Sequence, residues 1–148
     1  MKPFTYKTTI LWTGEKKGRV SSSNKISFDI ATPPEFNGHA GFWGPEELLV
    51  ASVNSCVMTT FLYFADKKGL ELCGYHSKAE GVIEMIRNRY VFSAIRIEPK
   101  IVVQSESSTE DAKKLMELAH KYCLVSNTLK CDVKITPKII TQENNDTV

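Results

Sequence analysis

Between Gly44 and Gly69 the chain carries one long apolar helical stretch, and everything else must be arranged around it. Gly44 stands at the N-cap position and Pro45 at the first helical position, where its missing N–H costs nothing. Glu46 and Glu47 fall in the first turn and complement the helix dipole; Lys67, Lys68 and Gly69 form the stop. Leu48, Leu49, Val50, Ala51, Val53, Val57, Met58, Phe61 and Leu62 cover nearly every face, which predicts a centrally buried helix. Cys56 sits in the middle of this run and is expected to be shielded from water. A cysteine in such a frame reads first as a small inert core residue, because free Cys is among the most buried residue types.

The remaining segments read as strands, with one more helix. Residues 6–12 form a strand, 13–18 a turn, and 19–23 pair back as a hairpin, followed by the alternating strand 26–30 and a loop over 32–38. Two long strands, 74–85 and 90–103, flank the polar turn Arg87-Asn88-Arg89. Tyr75, Ser77, Ala79, Gly81 and Ile83 share one face of the first, and Ile95, Ile97, Pro99 and Ile101 one face of the second. A helix then opens at Ser107-Ser108-Thr109-Glu110-Asp111, where Ser107 with Glu110, or Ser108 with Asp111, forms a capping box. Its stripe of Leu115, Met116, Leu118 and Ala119 ends near Tyr122-Cys123, and Ser126 caps a further short turn. Residues 133–137 return as a last strand, and the polar tail 141–148 frays. The order βββ, α, ββ, α, β predicts an α+β protein with mostly antiparallel strands.

At 148 residues the chain fits a single domain, 1–148, with a proper core. Its net charge of +2, from 19 basic and 17 acidic residues, argues against nucleic acid as a partner. No run of apolar residues reaches a membrane span without interruption, and the polar start Met1-Lys2-Pro3-Phe4-Thr5 is not that of a signal peptide, so no membrane partner and a cytoplasmic location are expected. In that reducing compartment Cys56, Cys73, Cys123 and Cys131 are not structural disulfides. None forms a CxxC pair, and His39, His76 and His120 are scattered, so neither a metal nor another cofactor is expected. Cys73 and Cys131 adjoin predicted strands and read as structural.

Two segments then stand together: Pro45-Glu46-Glu47-Leu48 leading to Cys56, and Cys123-Leu124-Val125-Ser126-Asn127 with Leu129. In this order and context the chain resembles the OsmC/Ohr family, the osmotically inducible protein C and organic hydroperoxide resistance proteins. The resemblance implies an intertwined homodimer in which an antiparallel sheet from both chains wraps two central helices. It also implies a thiol-dependent peroxidase of oxidative stress defence, reducing organic or inorganic hydroperoxides. Cys56 matches the peroxidatic position and Cys123 the resolving one: a thiolate attacks the peroxide, a sulfenic acid forms, and the second thiol condenses with it. A dithiol reductant, lipoyl-linked in some members, reopens the disulfide.

Burial alone raises a thiol pKa, the wrong direction for a nucleophile. The family corrects this with an arginine held by the glutamate that Glu46 matches. Here Lys16 stands two residues before Gly18 where the family has arginine, and no arginine occurs between residues 20 and 45, which leaves Arg19 or Lys16 as the activating cation. Lysine lacks the bidentate fork of arginine. The dipole of the helix carrying Cys56 fades within its first turn, well short of the thiol. Phe42, Trp43, Met58 and Phe61 are candidate lining for bulky organic peroxides. The alternative is a non-catalytic relative that binds an apolar small molecule or senses oxidation through the same cysteine pair.

Overall fold

The computed structural model describes residues 1–142, which divide at Leu48/Leu49 into an N-terminal and a C-terminal unit. The N-terminal unit holds a three-stranded antiparallel sheet in the order β1 (Thr9–Gly14), β2 (Lys17–Ser21), β3 (Phe28–Ala31). The first strand begins later than the apolar pattern predicts and runs on to Gly14, which pairs Lys17, so the reversal is the two-residue turn Glu15-Lys16, entered with Gly14 at φ 117° and Glu15 at φ 50°. Trp12 Nε1 donates to the Glu15 carbonyl at 2.8 Å and fastens that turn. A 3-10 turn, Pro34–Phe36, follows in the predicted loop. Gly38 closes it where only glycine fits, since an added Cβ would overlap the Thr32 carbonyl.

Helix α1 (Pro45–Lys68) has the predicted bounds. Glu47 Oε2 accepts the Gly44 N–H at 2.8 Å, the reciprocal half of a capping box, and Gly69 ends the helix at φ 72°. The expectation of burial on nearly every face is not met. Only 22 % of its most apolar 18-residue window is buried, and the covered stripe is Val53, Val57, Phe61 and Ala65, four residues apart. The strands and helix of the C-terminal unit cover one face, while Leu62 and Tyr63 stay exposed. By length and a mean hydropathy of 1.7 this helix passes for a membrane span, a test that core helices pass as well.

In the C-terminal unit β4 (Leu72–Ile86) and β5 (Arg89–Val103) form a long antiparallel hairpin. Arg87 and Asn88, at φ 50° and 62°, make the two-residue turn whose twist matches that of the strands. Ile95, Ile97, Pro99, Ile101 and Val103 of β5 are buried on one face, as the alternation predicts. Helix α2 (Thr109–Tyr122) then crosses over, so the returning strands β6 (Asp132–Ile135) and β7 (Lys138–Thr141) run parallel to β5. The sheet is therefore mixed. The two short strands lie end to end; Ile97 pairs Ile135 and Lys100 pairs Lys138, so Pro137 falls opposite Pro99 and neither has an N–H for the ladder.

Three local expectations are corrected. Neither capping box forms at α2: its first turn is preceded by a 3-10 turn, Glu106–Ser108, and Ser108 is already helical at φ −88° and ψ −9° with its side chain bonded to Ser105 instead. The buried stripe of α2 is Ala112, Leu115, Met116 and Ala119, with Leu118 left exposed. The tail is expected to fray from residue 141, but Thr141 closes β7 and is buried; residues 143–148 lie outside the described residues.

The core of the C-terminal unit centres on Phe61, which is fully buried and stacks at 5.7 Å on Tyr75. Phe61→Ala is expected to lower stability by about 3–5 kcal/mol in urea unfolding, with the slope unchanged.

Candidate active site

Two helices and a short turn bring Cys56 and Cys123 together. Cys56 lies in the fourth turn of α1 on the edge of its buried stripe. Cys123 ends α2: its backbone turns extended, at φ −64° and ψ 109°, and serves as N-cap to a third helix, α3 (Leu124–Thr128). The cap is not made by Ser126, as the sequence predicts. Ser126 sits inside α3 and donates its hydroxyl to the Cys123 carbonyl at 3.2 Å, beside the Asn127 N–H at 3.1 Å. Asn127 Nδ2 also holds the Lys121 carbonyl at 2.9 Å, which fixes the junction.

A helix start leaves its first N–H groups without intrahelical partners. At α3 those of Leu124 and Val125 are directed at the Cys56 sulfur, and the Cys123 thiol is a third donor to it. Burial pushes the Cys56 thiol up. The Val125 N–H, the Cys123 thiol, the Thr60 hydroxyl and the Leu124 N–H together outweigh it, so its pKa is lowered from the ordinary value. For Cys123 the balance is reversed: burial raises it most, Ser126 lowers it, and the hydrogen bond and charge of Cys56 raise it further. The Thr60 and Ser126 hydroxyls also lie against the two sulfurs. Each has one proton, given to the Cys56 carbonyl at 2.7 Å and the Cys123 carbonyl at 3.2 Å, so the backbone N–H groups are the fixed donors. Both thiols are free, with Cys123 fully buried and Cys56 partly open.

The expected cations are otherwise engaged. Arg19 of β2 pairs across the sheet with Asp29 of β3 at 3.0 Å, and Lys16 Nζ donates to the Asn37 carbonyl at 2.8 Å. Neither pairs with Glu46, whose Oε2 is buried with no hydrogen-bond partner among the described residues. It is Glu47 that caps the helix.

Phe61 is core, while Phe42 and Trp43 belong to the N-terminal unit, where Lys17 Nζ stands 5.6 Å over the Phe42 ring. Beside the cysteines, Thr59, Thr60, Tyr63, Phe64 and Tyr122 line an open groove of about 410 Å³. Thr59 and Thr60 both donate to the Cys56 carbonyl, and Phe64 stacks on Tyr122 at 5.8 Å. Cys131 packs against the core, whereas Cys73 is exposed at a bulge in β4 and donates to Gln104 Oε1 at 3.2 Å. Among the described residues no three His, Cys, Asp or Glu side chains gather as a metal site.

The N–H donors and Thr60 are the groups around the Cys56 sulfur that sequence reasoning missed. The available signal was a cysteine at the end of a helix followed directly by Leu-Val-Ser, a cap position with free N–H groups behind it.

The sequence model for OsmC-like proteins matches residues 38–138. An uncharacterized protein of Acinetobacter baylyi is 30 % identical, over 87 % of this chain and 89 % of its own. The organic hydroperoxide resistance protein-like 2 of Staphylococcus epidermidis is 26 % identical over 93 % of this chain and 96 % of its own. Among solved structures, an OsmC-like protein of unknown function from Vibrio cholerae superposes with a TM-score of 0.83 at 18 % identity, covering 91 % of this chain and 99 % of that one.

Alkylation by iodoacetamide tests the site's electrostatics. The reaction of Cys56 is expected to rise with pH about a midpoint below that of an ordinary thiol. Replacing Cys123 by Ala removes one donor and should move that midpoint upward.

Proposed function

The chain belongs to the OsmC-like protein family, and on that premise we propose that it is a thiol-dependent peroxidase acting on organic or inorganic hydroperoxides. The observation that carries the reading is the pair of free, hydrogen-bonded thiols, one lowered and partly open, the other raised and buried. In this reading the Cys56 thiolate attacks the peroxide and becomes a sulfenic acid, and Cys123 condenses with it to a disulfide. A dithiol, lipoyl-linked or free, then reduces that disulfide. The aromatic groove beside Cys56 favours hydroperoxides with a bulky apolar body.

We place the whole chain, 1–148, in one domain of a cytoplasmic homodimer. Ile10, Leu11 and Trp12 of the first hairpin are 59, 64 and 72 % exposed, an apolar patch that a second copy would cover. Glu46 is assigned the role of holding a cation for the thiolate, with Arg19 or Lys16 as its source once released from Asp29 or the Asn37 carbonyl.

The unpartnered Glu46 oxygen and the engaged cations favour a second reading, a non-catalytic relative that senses oxidation. Purified protein mixed with cumene hydroperoxide and dihydrolipoamide separates the two. Peroxidase action predicts many turnovers per chain, abolished in Cys56→Ser. A single stoichiometric oxidation with no further consumption supports the sensor, and consumption that survives Cys56→Ser sinks both readings.

A further inference from the structure

When a thiolate attacks the distal oxygen of an alkyl hydroperoxide, the other oxygen leaves as an alkoxide, far more basic than either thiolate, and needs a proton as it departs. The surroundings of the two sulfurs narrow the source of that proton. From α1 they are faced by Thr60, and from the α2–α3 junction by Ser126 and the N–H groups of Leu124 and Val125. Among the described residues of the C-terminal unit no carboxylate, imidazole, ammonium or guanidinium shifts the ionisation of either sulfur. Hydroxyl and amide groups hold hydrogen bonds but are far weaker acids than a thiol. The acidic hydrogen at hand is that of Cys123, which is 0 % exposed and donates to the Cys56 sulfur itself.

We propose that Cys123 gives its thiol proton to the departing oxygen of the hydroperoxide while Cys56 is being oxidised, and that this transfer leaves Cys123 as the thiolate that closes the disulfide. The inference rests on the reading that Cys56 meets a hydroperoxide. The electron pair of the Cys56 thiolate forms an S–O bond to the distal oxygen as the O–O bond breaks. The leaving oxygen takes the Cys123 proton and departs as an alcohol. The new Cys123 thiolate attacks the Cys56 sulfur; the S–S bond forms, the S–O bond breaks, and hydroxide leaves for the solvent. The reactive species is thus the pair carrying one proton between them. Burial and the charge of Cys56 hold that proton on Cys123 after Cys56 has ionised, until the pH is high enough for Cys123 to titrate in its turn.

The test is the rate of the first oxidation alone, measured without reductant and corrected for the fraction of Cys56 thiolate. In Cys123→Ala the rate with cumene hydroperoxide should fall by about 100-fold. The rate with peracetic acid should fall much less, since carboxylate leaves without a proton. Iodoacetamide, which releases iodide, should react at a nearly unchanged rate. Equal changes with all three reagents would overturn the proposal and assign Cys123 to the later step only. In the unmutated protein, which covers the case of a variant that fails to fold, the cumene hydroperoxide rate should rise and then fall with pH. A rate that rises to a plateau and stays there also overturns it. If the unmutated protein is oxidised no faster than free cysteine, the peroxidase reading has failed; a fast wild type with an equally fast Cys123→Ala contradicts only the proton transfer.

Discussion

The seating of the α2–α3 junction against the middle of α1 is the contact on which the chemistry of this molecule depends. It brings a fully buried thiol and two unpaired backbone N–H groups onto the sulfur of Cys56. The junction is held by its own hydrogen bonds, from Asn127 to Lys121 and from Ser126 to Cys123, and its place by the packing of Ala112, Leu115, Met116 and Ala119 in the same core as Val53, Val57 and Phe61. Donors built into the backbone need no side-chain ordering when the thiolate forms, so their orientation is settled by folding.

This arrangement changes what the missing arginine means. The sequence leaves the activating cation unassigned, and Arg19 and Lys16 are both engaged elsewhere in the N-terminal unit. The lowering of the Cys56 pKa does not wait for either, since the N–H groups, the Cys123 thiol and the Thr60 hydroxyl together outweigh the effect of burial. The buried Glu46 oxygen, without a partner among the described residues, still calls for a cation.

Much of the fold was legible because strong local signals agree with it. The bounds of α1 follow from Gly44, Pro45, Lys68 and Gly69, and the β4–β5 hairpin from its alternation and the Arg87-Asn88 turn. What stayed hidden depends on contacts between segments. The parallel placement of β6 and β7 is set by the crossover, which short strands do not announce. The start of α2 reads as a capping box because the residue types are right; the 3-10 turn ahead of it takes Ser108 out of the cap conformation. At the site, both cysteines stand out in the sequence. The groups that tune them are backbone N–H groups and a threonine bonded within its own helix, neither of which carries a distinctive residue pattern.

The central claim is that Cys56 and Cys123 form one redox unit apart from the other two thiols. The most direct measurement is a non-reducing peptide map after a single equivalent of cumene hydroperoxide. The account predicts one product, a Cys56–Cys123 disulfide, with Cys73 and Cys131 recovered as free thiols. Cys56 recovered as a sulfinic acid beside an unreacted Cys123, or linked to Cys73 or Cys131, would contradict it.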